Sequence, residues 1–251
     1  MWPSYVINLR DNTGRLSRVS AILNGQNVPF SRIEAVNGWK LTPAEIGKVY
    51  DELRNARDGF QPLIPAEIGC YLSHIDAWRR IAEGDAPGGF IFEDDFAATA
   101  NLAPVLKALS TDTAGDWDMV KLFTLDSSVR LGAERTLLSE TRIGIPYRVP
   151  TCLMAYGLTK HAAARLVARA IPFFRPVDED QKFVWETGLR VALTLPPPVI
   201  LGDQETSTGT IGAARRKAKA SSMSRLVRKF AYSLRYRLSL ARHRRQEGWR
   251  V

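Results

Sequence analysis

The sequence predicts an α/β fold in which a mostly parallel sheet is flanked by helices on both faces. Short apolar runs alternate along the chain with longer segments whose apolar residues recur at helical spacing. Runs such as 5–9 and 90–92 are apolar almost throughout, as expected for strands buried on both faces. With 251 residues, of which 45% are hydrophobic, the chain is long enough to bury one substantial core.

Turn and cap residues assign the elements in order. Asp11–Gly14 turns the chain from the first strand into a helix, and Thr42–Glu45 has the cap, proline and acid typical of a helix start. Pro65 begins a longer helix, and Thr159 caps a later one. The predicted strands are 5–9, 30–36, 90–92, 119–123, 153–158 and 191–195, and the predicted helices lie near 16–23, after 42, at 65–84, at 102–109, after 159 and at 178–187.

Basic charge is concentrated at the C-terminal end. Residues 211–251 hold 13 of the 35 Lys and Arg residues but only one of the 26 Asp and Glu residues, so residues 1–210 are slightly acidic. We predict one folded domain over residues 1–210 and a basic amphipathic extension over residues 211–251. A nucleic-acid interface is not expected, because the domain is acidic and lacks aromatic residues clustered over a basic face.

The extension contains a predicted amphipathic helix at residues 224–245. Its pattern is that of a helix lying in a membrane interface, with bases towards anionic headgroups. The alternative is a helix that packs on the domain with a solvated basic face. The apolar face comprises Val227, Phe230, Ala231, Leu234, Leu238 and Ala241, and the basic face comprises Arg225, Arg228, Lys229, Arg235 and Arg242.

Neither a membrane span nor a signal peptide is expected. No apolar stretch approaches the ~20 residues needed to cross a bilayer, and residues 1–4 lead directly into a strand without the basic and apolar regions of a leader. Cys70 and Cys152 are too few and too far apart for a disulfide framework or a zinc site, which favours a reducing compartment. We expect a cytoplasmic protein, peripheral on the inner face of the cytoplasmic membrane.

Glu93-Asp94-Asp95 carries the most chemical information. The triplet follows the apolar run 90–92 and so falls at the carboxyl end of a predicted strand, where open α/β sheets bind ligands. Three adjacent carboxylates repel one another unless a cation joins them, and oxygen ligands favour Mg²⁺ or Mn²⁺. The alternative is a solvated acidic turn. Since there is no Gly-x-Gly-x-x-Gly or Walker lysine loop, a nucleotide would be bound by other means.

Four short segments, each a weak motif alone, form a specific set by their order and spacing. They are Val6-Ile7-Asn8-Leu9-Arg10 with Arg15, Gly69-Cys70-Tyr71-Leu72-Ser73-His74, Phe92-Glu93-Asp94-Asp95, and Pro176-Val177-Asp178-Glu179. The set resembles glycosyltransferase family 25, the lipooligosaccharide biosynthesis transferases and collagen galactosyltransferases, over roughly residues 4–210. This resemblance implies a GT-A fold, a nucleotide-sugar donor (often UDP-galactose), a divalent metal ion and inversion at the anomeric carbon.

The resemblance also implies roles for the acidic residues. Asp95 is expected to bind the metal ion, Glu93 to contact the ribose or the metal through water, and Asp94 to be structural or to face the sugar. An inverting transfer needs a base on the face opposite the leaving group. Asp178 is the candidate base and Glu179 the second choice. The alternative for this cluster is a helix N-terminus enriched in acids.

The other candidate residues surround the expected donor. Arg10 and Arg15 follow the first strand and suit a diphosphate, whereas Val36 and Asn37 end the second strand and could line a base pocket. The segment after the last strand could complete the metal shell, or it could be a plain linker. The remaining candidates are Asn8, Ser73 and His74 from the matching motifs, with His74 alternatively a packed core residue, and Asp203 and Gln204 from the late segment.

The expected activity is transfer of a hexose from a UDP-hexose to a saccharide acceptor that is lipid-linked, such as a lipopolysaccharide, lipooligosaccharide or other envelope glycan. Galactose from UDP-galactose is the expected donor. A non-catalytic partner of the same fold in an envelope-glycan assembly complex is the alternative. The intact acidic triplet and the segment 176–179 argue against it.

Overall fold

The computed structural model describes residues 1–126, 128–202 and 223–249, and it confirms the α/β class. The strands are β1 (Ser4–Asn8), β2 (Phe30–Glu34), β3 (Gly88–Glu93), β4 (Phe96–Ala98), β5 (Met119–Lys121), β6 (Leu131–Leu138), β7 (Thr141–Pro146), β8 (Ala155–Thr159), β9 (Val191–Leu195) and β10 (Val199–Leu201). The helices are α1 (Thr13–Gly25), α2 (Pro43–Val49), α3 (Glu52–Asp58), α4 (Pro65–Glu83), α5 (Leu102–Ser110), α6 (Lys160–Arg169), α7 (Val177–Asp180), α8 (Val184–Thr187) and α9 (Met223–Gln246), with a 3₁₀ turn at Gly38–Lys40.

Eight of these strands form one sheet in the order β2-β1-β3-β8-β5-β9-β7-β6. β1 pairs in parallel with β2 and β3, and β5 pairs in parallel with β9. β8 and β7 run antiparallel to both of their neighbours. Six of the eight strands therefore point the same way, and the sheet is mostly parallel in direction although mixed in its pairing. β4 and β10 form a separate antiparallel pair.

The hairpin of β6 and β7 was not predicted. β6 lies at the edge of the sheet, and its residues are exposed or half-buried along its whole length. It therefore lacks the apolar run by which a buried strand is identified in a sequence. Its pairing with β7 is also irregular, with two register shifts. Edge strands of this kind leave little periodic signal.

A separate hydrophobic core covers each face of the sheet. Ile91 of β3 packs on the side that holds α4 and α6, whereas Phe90 and Phe92 pack on the side that holds α1 and α5. Val6 and Ile7 of β1 divide between the two sides in the same way. This alternation follows from the period of two along a strand. It explains why the central residues of both strands are apolar.

The C-terminal helix α9 packs on the domain. Tyr232, Tyr236 and Leu240 are buried, and their spacing of four residues places them on one stripe of the helix. Both tyrosine rings contact Phe183, with centroids 5.8 and 5.2 Å away. The guanidinium of Arg244, also buried, donates hydrogen bonds to two backbone carbonyl oxygens at the end of β7 and just beyond it. Sequence analysis did not single out this face.

The predicted apolar stripe of α9 lies away from the domain. Val227, Phe230, Leu234 and Leu238 are exposed by 62%, 71%, 46% and 63%. The helix is therefore attached through its tyrosines, while its aliphatic side chains remain at the surface. Within the described ranges, no helix combines the length and the apolar character needed to cross a bilayer.

Candidate active site

The carboxyl ends of β2, β1 and β3 meet at one edge of the sheet. Because these strands are parallel neighbours, the residues that follow Glu34, Asn8 and Glu93 lie side by side. A pocket opens there, between the strand ends, the segment 35–39 and one face of α4. We call this cavity the first pocket. Its position is the usual one for a ligand site in an open α/β sheet.

Two glycines allow α4 to approach the segment after β2. A Cβ atom on Gly38 would lie 1.6 Å from the carbonyl oxygen of Pro65, and one on Gly69 would lie 2.4 Å from that of Val36. A larger residue therefore fits at neither position without moving the backbone. Ser73 joins the two elements, since its Oγ accepts the Val36 N–H at 2.8 Å and donates to the Gly69 carbonyl at 2.7 Å. Ser73 is buried and shapes the pocket wall.

Asp94 is fixed by its neighbours. Asn8 Nδ2 donates to Asp94 Oδ2 at 2.7 Å, and Arg15 pairs with Oδ1 at 3.0 Å. Asn8 also accepts a hydrogen bond from Arg32 Nε at 3.1 Å and is almost fully buried. The amide of Asn8 is thus used in holding Asp94. Asp94 in turn anchors Arg15, whose side chain lines the first pocket.

Asp95 has the opposite environment. Its Oδ1 atom is buried and has no hydrogen-bond partner among the described residues. Burial, and after it the charge of Glu93, raises the pKa of Asp95 to about 6. A buried carboxylate oxygen without a donor lacks compensation for its desolvation, and a cation would provide it. The Gly202 N–H donates to the Asp95 carbonyl at 3.2 Å, whereas Asp203 and Gln204 lie outside the described residues.

His74 ends a buried chain of hydrogen bonds. Trp78 Nε1 donates to the Tyr156 hydroxyl at 2.7 Å, and this hydroxyl lies 2.8 Å from His74 Nδ1. Because the indole can only donate, the Tyr156 proton is available for Nδ1. This network assigns the remaining ring proton to Nε2, which lies 3.2 Å from Glu93 Oε1. His74 is fully buried and acts on the pocket by orienting Glu93.

A second pocket adjoins the first and is lined by Phe60, Asp178 and Glu179 among others. Cys70 and Glu93 line both pockets, which therefore meet at these two residues. Cys70, His74 and Glu93 carry possible metal-ligand atoms within 4.8 Å of one another, but the proton of His74 Nε2 already serves Glu93. Two pockets that share a carboxylate suit a reaction between two bound molecules.

Asp178 is the acid of α7 whose carboxylate is held by backbone groups. It accepts the Cys152 N–H at 3.2 Å and the Glu179 N–H at 2.9 Å. Burial raises the pKa of Asp178, and the charge of Glu179 adds to the effect. A carboxylate with a raised pKa beside a pocket is suited to accept a proton.

The other two acids of α7 are paired with side chains. Glu179 receives Lys182 Nζ at 3.0 Å on both oxygens and the Tyr232 hydroxyl at 3.2 Å on Oε2. Asp180 accepts a hydrogen bond from the Tyr71 hydroxyl at 2.8 Å and does not line the second pocket. Each of the three carboxylates at this helix start therefore has its own environment.

Comparison with known proteins decides the family. Residues 1–179 match the family model described as glycosyltransferase family 25 (LPS biosynthesis protein). The chain belongs to glycosyltransferase family 25. The resemblance inferred from the four segments is thereby confirmed.

Several curated proteins are similar to this family 25 chain. Procollagen galactosyltransferase 2 of Mus musculus is 26% identical over 190 residues, which cover 70% of this chain and 29% of that protein. Inactive glycosyltransferase 25 family member 3 of Homo sapiens is 27% identical over 186 residues, covering 70% and 30%. Lipooligosaccharide biosynthesis protein lic2B of Haemophilus influenzae is 30% identical over 92 residues, covering 37% and 33%. The matched region spans about a third or less of each relative.

The structure brings most predicted residues of this family 25 chain to the two pockets. Asn8 lies behind the wall of the first pocket as a support, and Ser73 forms part of that wall. Arg10 lies outside this pocket, since its side chain is 75% exposed and pairs with Glu34 at 3.0 Å. The first pocket is lined by Arg15, Val36, Asn37, His74, Glu93, Asp94 and Asp95, and the second by Glu93, Asp178 and Glu179.

Lys121 is a candidate supporting residue of the site that sequence analysis missed. It is buried in β5 and donates to two carbonyl oxygens of the segment 150–151, and burial lowers its pKa to about 8. Cys152, which follows this segment, has a φ of 72°, which is uncommon for a residue with a side chain. Its backbone N–H donates to Asp178. A lysine inside the apolar run 119–123 was the available signal, because a buried charge requires partners.

Proposed function

We propose that this family 25 member transfers a hexose, with UDP-galactose as the expected donor, to a saccharide of a lipopolysaccharide, lipooligosaccharide or other envelope glycan. The observation that carries the proposal is the pair of adjoining pockets that share Glu93, with Asp95 in one and Asp178 in the other. The names of the relatives support the classes of sugar and acceptor, since they include galactosyltransferases and a lipooligosaccharide biosynthesis protein.

The first pocket suits a nucleotide sugar. Ala35 and Val36 offer apolar surface beside Asn37 for a base. Arg15, anchored by Asp94, offers the planar set of donors that matches diphosphate oxygens. In this proposal the diphosphate lies beside the Arg15–Asp94 pair and Asp95, which all line the first pocket.

The residues at the end of β3 fit a divalent ion such as Mn²⁺ or Mg²⁺. The buried Oδ1 of Asp95 lacks a partner among the described residues, and Glu93 is a second carboxylate beside it. We propose that Asp95 and Glu93 hold the ion, with Asp203 completing the set. Such an ion, when bound, neutralises the charge that develops on a diphosphate leaving group.

Asp178 is the proposed base of an inverting transfer. An acceptor hydroxyl in the second pocket gives its proton to Asp178 while its oxygen attacks the anomeric carbon from the face opposite the diphosphate. The new carbon–oxygen bond forms as the bond to the diphosphate oxygen breaks, and UDP leaves with the electron pair. Burial supports this role, because it raises the pKa of Asp178 towards neutral pH.

A panel of nucleotide sugars tests the proposal. Release of nucleoside diphosphate by the full chain would be measured for each donor, with and without Mn²⁺ and with a set of soluble glycoside acceptors. We expect consumption of UDP-galactose that depends on both Mn²⁺ and acceptor. Absence of turnover with every donor, in protein that still binds UDP, would instead favour a non-catalytic role.

The non-catalytic role is the second candidate, and one observation favours it: a similar protein is named an inactive family member. Such a partner in an envelope-glycan assembly complex would keep the fold without turnover. The presence of both Asp95 and Asp178 at adjoining pockets supports the catalytic proposal over this one.

We further propose that α9 holds the protein on the inner face of the cytoplasmic membrane, where a lipid-linked acceptor would be available. Phe230, Leu234 and Leu238 form an exposed apolar stripe, and Arg237 and Arg242 are exposed beside it. An apolar stripe flanked by bases is typical of a helix that binds anionic lipid. Each base near such a surface contributes about 1 kcal/mol.

A further inference from the structure

The inner face of α9 packs behind the wall of the second pocket. The Tyr232 hydroxyl donates to Glu179 Oε2 at 3.2 Å, across a sequence separation of 53 residues. The ring of Tyr232 packs on Phe60, with centroids 5.1 Å apart, and Phe60 is itself part of the pocket wall. One residue of α9 thus supports both a carboxylate and an aromatic wall of the pocket.

The carboxylate of Glu179 is constrained on its protein side. Lys182 Nζ lies 3.0 Å from both carboxylate oxygens, and the side chains of Lys182 and Glu179 are 6% and 18% exposed. The ammonium of Lys182 also lies 5.0 Å from the ring centre of Tyr236 in α9. With donors fixed at two points, the carboxylate has one defined orientation, and its remaining acceptor capacity is directed to the pocket.

We propose that α9 completes the acceptor half of the active site, with Tyr232 as a positioning residue for Glu179. Glu179 then accepts a hydrogen bond from a saccharide hydroxyl beside the one that Asp178 deprotonates. This inference rests on the proposed transferase function. Lys182 offsets the charge of Glu179, which suits Glu179 to orienting the acceptor and leaves proton transfer to Asp178. The C-terminal helix is accordingly part of the catalytic unit.

Tyr232→Phe tests the positioning role, because it removes the hydroxyl and keeps the ring that packs on Phe60. Tyr236→Phe is the matched control: it lies one turn further along α9, and its buried hydroxyl does not hydrogen-bond to Glu179. The readouts are kcat, the KM values for UDP-galactose and for a soluble glycoside acceptor, and the melting temperature. We expect Tyr232→Phe to raise the acceptor KM about tenfold or more, in line with one hydrogen bond to a charged group, with the donor KM unchanged. Tyr236→Phe should leave both KM values unchanged.

A double-mutant cycle separates positioning from simple packing. Glu179→Gln should raise the acceptor KM, and adding Tyr232→Phe to it should raise that KM no further. Two results would overturn the positioning role alone, provided that the wild type is an active transferase. One is an unchanged acceptor KM in Tyr232→Phe. The other is an increase in acceptor KM on Tyr232→Phe that is equally large in the Glu179→Gln background. If the wild type transfers no hexose from any donor, the proposed function fails, and this inference fails with it.

Discussion

Asp94 and Asp95 are adjacent in sequence and yet meet opposite environments. Asp94 is satisfied by Asn8 and Arg15, whereas the buried Oδ1 of Asp95 finds no partner within the described part of the chain. The difference arises at the end of β3, where the chain turns and directs the two carboxylates to different neighbours. At the scale of single residues, this contrast makes Asp95 the better candidate for a metal ligand.

Asp95→Asn should stabilise the metal-free protein at neutral pH. Because the folded pKa of about 6 lies above the ordinary value of 3.8, the ionised carboxylate costs stability above pH 6, and the cost disappears as the pH falls below 4. One pKa unit corresponds to about 1.4 kcal/mol, so the expected gain is on the order of 3 kcal/mol at pH 7.5 and none at pH 3.5. Thermal unfolding with EDTA measures it.

Asp94→Asn is the matched control, and it should be destabilising because its charge is paired with Arg15. In the same assay, Mn²⁺ should raise the melting temperature of the wild type and not that of Asp95→Asn, since a bound ion stabilises only the protein that holds it. Equal stabilisation of the wild type and of Asp95→Asn by Mn²⁺ would contradict a metal role for Asp95.

Asp178→Asn should keep donor binding and lower the rate of transfer about 10²-fold or more, the usual scale for a positioned base. In the wild type, kcat/KM should rise with pH through an apparent pKa above the ordinary aspartate value, because burial raises the pKa of Asp178. This limb should be missing in Asp178→Asn. Initial rates over a pH series provide the measurement.

Asp180→Asn is the control for this experiment. Asp180 is bonded to Tyr71 and paired with Arg175 at 3.3 Å, and it does not line the second pocket. Asp180→Asn should therefore lower stability, while the rise of kcat/KM with pH remains. Full turnover of Asp178→Asn together with loss of turnover in Glu179→Gln would move the base to Glu179.

At the scale of elements, the sequence predicts what is periodic. β1, β3, α4 and α5 were predicted because their apolar residues follow the periods of a buried strand or helix. β6 was missed because an edge strand has no continuous apolar run. The docked face of α9 was missed because its two tyrosines and Leu240 are less apolar as a group than the aliphatic stripe opposite.

The same limit applies to the site. The acidic triplet and the segment 176–179 were recognised from motifs, since they are local in sequence. The hydrogen-bond network of Trp78, Tyr156 and His74 depends on a contact between Trp78 and Tyr156, which are 78 residues apart in sequence. Lys121 likewise finds its partners about 30 residues away. Contacts of this range leave no periodic pattern, so only the fold reveals them.

Gly69→Ala tests the close approach of α4 to the segment after β2. The added Cβ would lie 2.4 Å from the Val36 carbonyl oxygen, so we expect a loss of stability of about 1–3 kcal/mol, as for other overpacked sites, and weaker donor binding. Gly47→Ala in α2 is the control, because nothing lies within 4 Å of its Cβ position; it should be stabilising by about 0.5–1 kcal/mol. Urea unfolding and UDP titration measure both effects. Wild-type UDP affinity in Gly69→Ala would contradict the role of this contact in shaping the pocket.

At the scale of the whole molecule, the two faces of α9 carry two separate proposals. Its tyrosine face contacts Phe60 and Glu179 in the wall of the second pocket, and its aliphatic face is exposed. Deleting the extension would therefore remove support from the active site as well as the proposed membrane contact. Point substitutions on the outer face separate the two effects, because the outer side chains do not pack on the domain.

Phe230→Ser combined with Leu234→Ser should strip binding to anionic vesicles and leave transfer to a soluble acceptor unchanged. Both side chains are exposed, by 71% and 46%, so folding should not depend on them. Leu125→Ser, at another exposed leucine outside α9, should retain vesicle binding. Flotation with vesicles that contain or lack anionic lipid is the assay. Binding should weaken with salt, since the Debye length falls from ~10 Å at 0.1 M to ~3 Å at 1 M. Wild-type protein that ignores anionic vesicles would contradict the membrane proposal.

The most direct test of the account is a proton NMR time course of the wild-type chain with UDP-galactose, Mn²⁺ and a soluble glycoside acceptor. The coupling constant of the new anomeric proton reports the configuration of the product while UDP release is followed in the same sample. Two adjoining pockets, with the proposed metal-binding carboxylate in one and the proposed base in the other, predict a β-linked galactoside formed from the α-linked donor. An α-linked product would contradict Asp178 as the base of an inverting transfer, and the absence of any glycoside product with any nucleotide sugar would contradict the transferase function itself.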